Sequence, residues 1–163
     1  MIDETTLPGR MVAAALRLAA ERPWAEITLS DIATAAGTSL PEIAPKIASK
    51  ANVLSELNRM IDQQMLKTMP RAQPGQSARD TLFEVVMARL DAMQPHKAAI
   101  RSILKSPTAD ARLLFELLRT QSLMLEAAGA SKDGAIGLLR TAGIASVYGG
   151  TLRTWLDDAD PGL

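Results

Sequence analysis

The amino-acid sequence predicts an all-α fold, and three observations carry that expectation. Apolar residues recur three and four positions apart through most of the 163 residues, and aromatic residues make up only 3% of the chain. The β-branched residues are scattered among Ala, Leu and Arg instead of grouping in alternating runs. The length suits one globular domain or two small ones.

Between Leu7 and Ala20, the residues Met11, Val12, Ala15, Leu16 and Ala19 share one helix face, with Arg10, Arg17 and Glu21 elsewhere on the circle. Pro23 ends this first helix, and Trp24 sits in the following turn, where its ring can cover the helix end. Thr28 or Ser30 caps a short second helix that turns Leu29, Ile32, Ala33 and Ala36 inward, and Gly37 closes it in the left-handed conformation. Thr38 and Ser39 then offer capping oxygens to a third segment with Leu40, Ile43 and Ile47 on one side. Two helices of about two turns joined at a glycine form a helix-turn-helix candidate.

A longer fourth helix opens at Ser49 or Lys50, runs through Val53, Leu54, Leu57, Met60, Ile61 and Met65, and stops before Pro70. The loop that follows contains Pro74-Gly75 and is the strongest break in the chain. Ser77 to Met93 reads as a fifth helix, and Pro95 starts a sixth that stops near Ser106-Pro107. A seventh runs from about Thr108 to Ala128, closed by Gly129, and a final helix spans Ser131 to Asp157. There is no internal repeat and no low-complexity segment.

Composition excludes several chemistries. With no Cys and a single His, the chain has no disulfide framework, thiol nucleophile, thiolate metal site or His-rich metal cage, so neither a metal nor a cofactor is expected. No carboxylate pair, no nucleophile beside a base and no Gly-rich loop after a strand is present, which argues against an enzyme. The chain starts with acids where a signal peptide has basic residues, and no apolar run approaches the ~18 residues that span a bilayer, so a cytoplasmic protein is expected. The 18 basic and 18 acidic residues cancel, whereas the simplest nucleic-acid binder carries a basic surface.

The segment Val12-Ala-Ala-Ala-Leu-Arg-Leu-Ala-Ala, the turn aromatic Trp24, Ile27-Thr28-Leu29, Asp31-Ile32-Ala33, Ala36-Gly37-Thr38-Ser39, Ile43, Ile47, Ser49-Lys50 and Leu54 together form a pattern. Over Arg10 to Leu54 it resembles the DNA-binding domain of the TetR family of bacterial transcriptional regulators. The resemblance implies a helix-turn-helix domain over residues 1–50 and a helical ligand-binding and dimerisation domain over residues 51–163. It implies operator DNA, a small apolar effector and a second copy of the chain as partners, with repression as the activity. Thr28 and Lys50 would hold phosphates, while Thr38, Ser39 and the third segment with Leu40, Glu42 and Lys46 would enter the major groove. Helix N-termini favour phosphate because unpaired N–H groups and the helix dipole both face the anion. The same Ser and Thr side chains are equally readable as caps and nothing more.

Three departures from the family pattern stand out. Ala44 replaces a usual aromatic and Lys46 a usual Tyr or His, both of which grip the DNA backbone in family members. Pro45 lacks the N–H that would bond back four residues, and its ring opposes the Pro41 carbonyl, at roughly 3 kcal/mol in a helix interior, so the third helix should be shortened or bent. Residues 1–50 carry Arg10, Arg17, Arg22, Lys46 and Lys50 against Asp3, Glu4, Glu21, Glu26, Asp31 and Glu42, a net −1, and Glu42 in the recognition segment repels phosphate.

In the second half, Phe83, Met87, Leu90, Phe115, Leu118 and Met124, with His96 and Tyr148, either line an effector pocket or are ordinary core and surface residues. Arg89 and Arg101 read as partners of an acidic ligand or as solvated face residues. In the last helix, Gly137, Ala142, Gly143, Ala145, Ser146, Gly149 and Gly150 form a small-residue stripe that calls for a close partner helix. Either the seventh and eighth helices supply the family's dimer interface, or a further helix beyond residue 163 does. A second functional class remains: a TetR-like protein that binds lipid and not operator DNA, as the ubiquinone-biosynthesis accessory proteins do.

Overall fold

The computed structural model describes residues 2–71, 73, 75–106, 111–130 and 134–158, without the side chains of 111–118, 134–136 and 138. The fold is all-α. Its helices are α1 (Leu7–Glu21), α2 (Leu29–Ala35), α3 (Leu40–Ile43), α4 (Lys50–Thr68), α5 (Ala78–Met93), α6 (Lys97–Lys105), α7 (Ala111–Ala127) and α8 (Gly134–Asp157), with 3₁₀ turns at Trp24–Glu26 and Gln94–His96.

Local chemistry sets most of the boundaries. The hydroxyls of Thr6, Thr28, Ser49 and Ser77 accept backbone N–H bonds from Gly9, Asp31, Asn52 and Asp80, satisfying donors left over in each first turn. Gly37 ends α2 at φ 69°, and the Thr38 N–H then bonds the Ala33 carbonyl at 3.0 Å, a backward bond that needs a left-handed residue.

One connected apolar core runs from Met11 and Val12 in α1 through Val53 and Met65 in α4 to Trp155 and Leu156 in α8. The α1 helix packs on α2, α4 and α6, and α4 continues onto α5 and α7. The α1–α3 headpiece is therefore joined to the body along two helices. A third tie is polar: Ser102 Oγ on α6 accepts the Trp24 N–H at 3.0 Å and donates to the Arg22 carbonyl at 3.3 Å.

The third helix differs from the two turns the sequence suggests. It holds four residues, and Ile47 lies beyond its end. The expected shortening at Pro45 has its cause in the bond series: Ala44 N–H bonds the Leu40 carbonyl at 2.9 Å, and the next residue has no N–H to give. Ile47 stays buried beside Ile43 because its own N–H bonds the Ile43 carbonyl at 2.8 Å.

Candidate functional site

The α2–α3 unit is held by two capping systems. The Thr28 hydroxyl accepts from the Asp31 N–H at 3.1 Å while the Asp31 carboxylate accepts the Thr28 N–H at 2.8 Å, a reciprocal capping box. At α3, the Glu42 carboxylate accepts both the Ser39 N–H at 2.9 Å and the Thr38 hydroxyl at 2.7 Å. These bonds hold the Asp31 carboxyl below the usual range, chiefly through the Thr28 N–H, and the Glu42 carboxyl likewise, chiefly through the Thr38 hydroxyl. Glu42 thus serves as the local cap of α3.

Lys50 is placed differently from its expected phosphate role. Its ammonium donates to the carbonyls of Trp24 at 2.7 Å and Ile27 at 2.6 Å and lies 4.5 Å from the centre of the Trp24 ring. It closes the end of the 3₁₀ turn and lies over the buried indole, so two of its three donors are spent inside the chain. Lys46 is exposed and makes no ion pair among the described residues. Ser39, Leu40, Pro41, Glu42, Ala44 and Lys46 form the solvent-facing side of the unit, while Ile43 faces the core.

The body holds a buried polar cluster. Arg89 on α5 donates to the Asp62 carboxylate, to Asn58 Oδ1 at 2.5 Å and to the Tyr148 hydroxyl at 2.9 Å. Asn58 donates to Thr120 Oγ1 at 2.8 Å, and Arg119 pairs with the other Asp62 oxygen at 3.4 Å. Burial pushes the Asp62 carboxyl up, against the lowering pull of Arg89 and Arg119. The Arg89 side chain is only 2% exposed, which corrects both sequence readings of it: it is neither a ligand partner nor a solvated residue, and its guanidinium ties α4, α5 and α8 together. Arg101 bonds the Leu156 carbonyl and joins α6 to α8.

The described members of the expected pocket set lie in different surroundings. Leu90, Met124 and Tyr148 are buried, and Phe83 is 62% exposed on α5. The side chains of Phe115 and Leu118 lie outside the described residues. His96 and Met87 instead line two open grooves on the outside of the α4–α5 seam. The buried cluster escaped sequence reading, although Asn58 and Asp62 interrupt the apolar face of α4 one turn apart, beside Leu57, Ile61 and Met65. Polar residues at core positions of an amphipathic helix are the signal that finds such a cluster.

Among solved structures, the fold is similar to the crystal structure of a TetR transcriptional regulator from Rhodococcus sp. RHA1. The TM-score is 0.69 at 20% sequence identity, covering 97% of this chain and 88% of that one. No protein-family model matches the chain, and no curated protein does. The chain has the TetR-type fold, the fold that the pattern of residues 10–54 resembles.

Proposed function

We propose that the protein is a TetR-type transcriptional regulator, a repressor that binds operator DNA as a homodimer in the cytoplasm and releases it on binding an effector. In this reading residues 1–50 contact DNA and residues 51–163 sense the effector and dimerise. The observation that carries it is the α2–Gly37–α3 unit, fixed by two capping systems and turned so that Ser39, Leu40 and Lys46 face solvent while Ile43 anchors it. Thr28, Thr38, Ser39, Leu40, Glu42 and Lys46 form the assigned DNA-facing set, with Lys46 the phosphate contact, while Lys50, expected from the sequence to join them, supports the Trp24 turn.

Dimerisation through α8 has its own support. Leu139 and Val147 are 73% and 70% exposed, and a Cβ added at Gly143 or Gly150 would meet nothing within 4 Å. Glycines that disfavour helix by up to ~1 kcal/mol each, with no close neighbour in their own chain, suit the approach of a second copy.

The test is fluorescence anisotropy on the DNA flanking the protein's own gene against scrambled DNA, from about 50 to about 200 mM salt. Sequence-preferring, salt-sensitive binding is the expected result; equal affinity for both DNAs overturns the reading. A one-turn α3 with a single uncommitted lysine favours a second reading, a TetR-like lipid-binding accessory protein. Equal affinity together with lipid extracted from the purified protein would establish that alternative.

A further inference from the structure

The Arg22–Trp24 turn, which leads from α1 to α2, does not satisfy its own backbone. The Arg22 N–H bonds the Leu18 carbonyl at 3.0 Å, the Pro23 carbonyl accepts the Glu26 N–H at 3.0 Å, and the Trp24 carbonyl accepts the Ile27 N–H at 3.3 Å. Pro23 has no N–H, and among the described residues the Arg22 carbonyl and the Trp24 N–H find no partner inside the headpiece. Both go to one side chain of the body. Ser102 Oγ on α6 accepts the Trp24 N–H at 3.0 Å and donates to the Arg22 carbonyl at 3.3 Å, and both bonds are partly shielded from water. A hydroxyl has one proton to give and lone pairs to receive with, so Ser102 serves the two groups on either side of Pro23 at once.

The same turn governs the start of two further helices. The Arg22 guanidinium lies 3.0 Å from the Asp31 carboxylate, which caps α2 by accepting the Thr28 N–H at 2.8 Å. The Trp24 and Ile27 carbonyls hold the ammonium of Lys50, the first residue of α4. Away from the headpiece, α6 is tied to the end of α8. Arg101, next to Ser102, bonds the Leu156 carbonyl, and Lys97 bonds the Asp158 carbonyl at 2.9 Å. Ser102 therefore links the α6–α8 pair to the stretch of chain that enters α2. The Gly37 turn has no such dependence: its bonds close on Ala33, Thr34 and Glu42, within the α2–α3 unit itself.

We infer that Ser102 is a positioning residue for the α2–α3 unit. Its hydroxyl fixes the Arg22–Trp24 turn against the body, and the turn, through Arg22 and Asp31, fixes the direction in which α2 leaves it. A body residue remote in sequence thus sets the placement of a unit whose internal shape is local. The consequence for DNA rests on the regulator reading, in which α8 joins two copies and the setting of each unit against α6 and α8 fixes the separation of the two units. The tie itself does not rest on that reading.

Amide hydrogen exchange on the full chain tests it with three variants. Ser102→Ala removes both bonds, Ser102→Thr keeps the hydroxyl, and Ile103→Val trims a buried side chain one residue along α6 while sparing both bonds. Ser102→Ala should speed exchange at the Trp24 N–H and in α2 about tenfold and leave α5 within about twofold of the native rate, and Ser102→Thr should return α2 to within about threefold. Ile103→Val should show no preference for α2 over α5. Acceleration shared equally by α2 and α5 in Ser102→Ala, no acceleration at all, Ser102→Thr exchanging as fast as Ser102→Ala, or Ile103→Val reproducing the α2 effect overturns the proposal. Anisotropy reads the DNA consequence separately: Ser102→Ala should bind about fivefold more weakly with an unchanged salt slope, because no phosphate contact is lost. A native chain without DNA preference removes the regulator and leaves the exchange result standing, whereas full DNA affinity in Ser102→Ala overturns the part assigned to Ser102 in DNA binding.

Discussion

The headpiece and the body are stabilised by opposite uses of polar groups. In the headpiece every capping bond joins residues three or four apart, Thr28 with Asp31, Thr38 and Ser39 with Glu42, and all of these are exposed or partly so. The body has local caps too, but its buried polar cluster, centred on Arg89 and Asp62, is tied by bonds that span 27 to 62 residues. The difference teaches where each unit's shape is decided. The headpiece turn is specified locally over a small apolar core, whereas the arrangement of α4, α5, α7 and α8 depends on one buried ion pair whose members must arrive together.

That contrast is broken most sharply at Arg89. Arg89→Ala leaves the Asp62 carboxylate buried without its main partner, and urea unfolding should show a loss of about 3–5 kcal/mol. The double variant Asp62→Leu/Arg89→Met removes both charges together and should recover most of that loss. If the single and double variants are equally unstable, the ion pair is not what holds the body.

Lys50 and Lys46 sharpen the comparison within the headpiece. Lys50→Ala strips a donor from two carbonyls and a cation from the Trp24 ring, so thermal or urea unfolding should register about 1–3 kcal/mol. Lys46→Ala should leave stability unchanged and reduce the salt slope of DNA binding by about one ion, a slope Lys50→Ala leaves alone. The reverse pattern would return the phosphate contact to Lys50.

A smaller effect is expected at the cap of α2. Thr28→Ala removes the acceptor for the Asp31 N–H and should cost about 1 kcal/mol, with amide exchange faster in α2 than in α5. An α2 exchange rate no different from the native protein's would mean the cap is redundant.

The two regions should also respond to acid with opposite sign. Asp31 and Glu42 have folded-state pKa values below their ordinary 3.8 and 4.5, so their stabilisation is complete above those values and is lost as pH falls through the folded ones. Asp62 is raised above 3.8, so its contribution is complete below that value and is lost as pH rises through the folded one. A carboxyl NMR titration should place Asp62 above, and Asp31 and Glu42 below, their ordinary midpoints. Midpoints in any other order would contradict the capping bonds of Asp31 and Glu42 or the burial of Asp62.

Much of the fold could be read along the chain. The helix starts near Thr28, Ser49 and Ser77, the left-handed Gly37 and the apolar faces of α1 and α4 were legible because each depends on residues within one or two turns, while the choice of Thr28 over Ser30 as cap came from the structure. The shortening of α3 followed from Pro45 for the same reason. The candidate sites were less legible. Lys50 and Thr28 occupy positions a phosphate contact requires, and only the path of the Trp24–Ile27 backbone turns the Lys50 ammonium inward. His96 and Met87 were picked out for an interior pocket and lie on the outside of the α4–α5 seam, because helix periodicity does not say which neighbour a face meets.

The sequence by itself determined an all-α chain, the order of its helices, and a glycine-hinged pair of short helices near its start; the expected starts of the last two helices, Thr108 and Ser131, lie outside the described residues. Those follow from propensity, capping and periodicity, which act over a few residues. Only the tertiary structure decided that Arg89 is buried on Asp62 and Asn58 and that Lys50 is spent on backbone carbonyls. Each of these joins residues dozens of positions apart, and their chemistry depends on dielectric and distance that exist only once the helices pack.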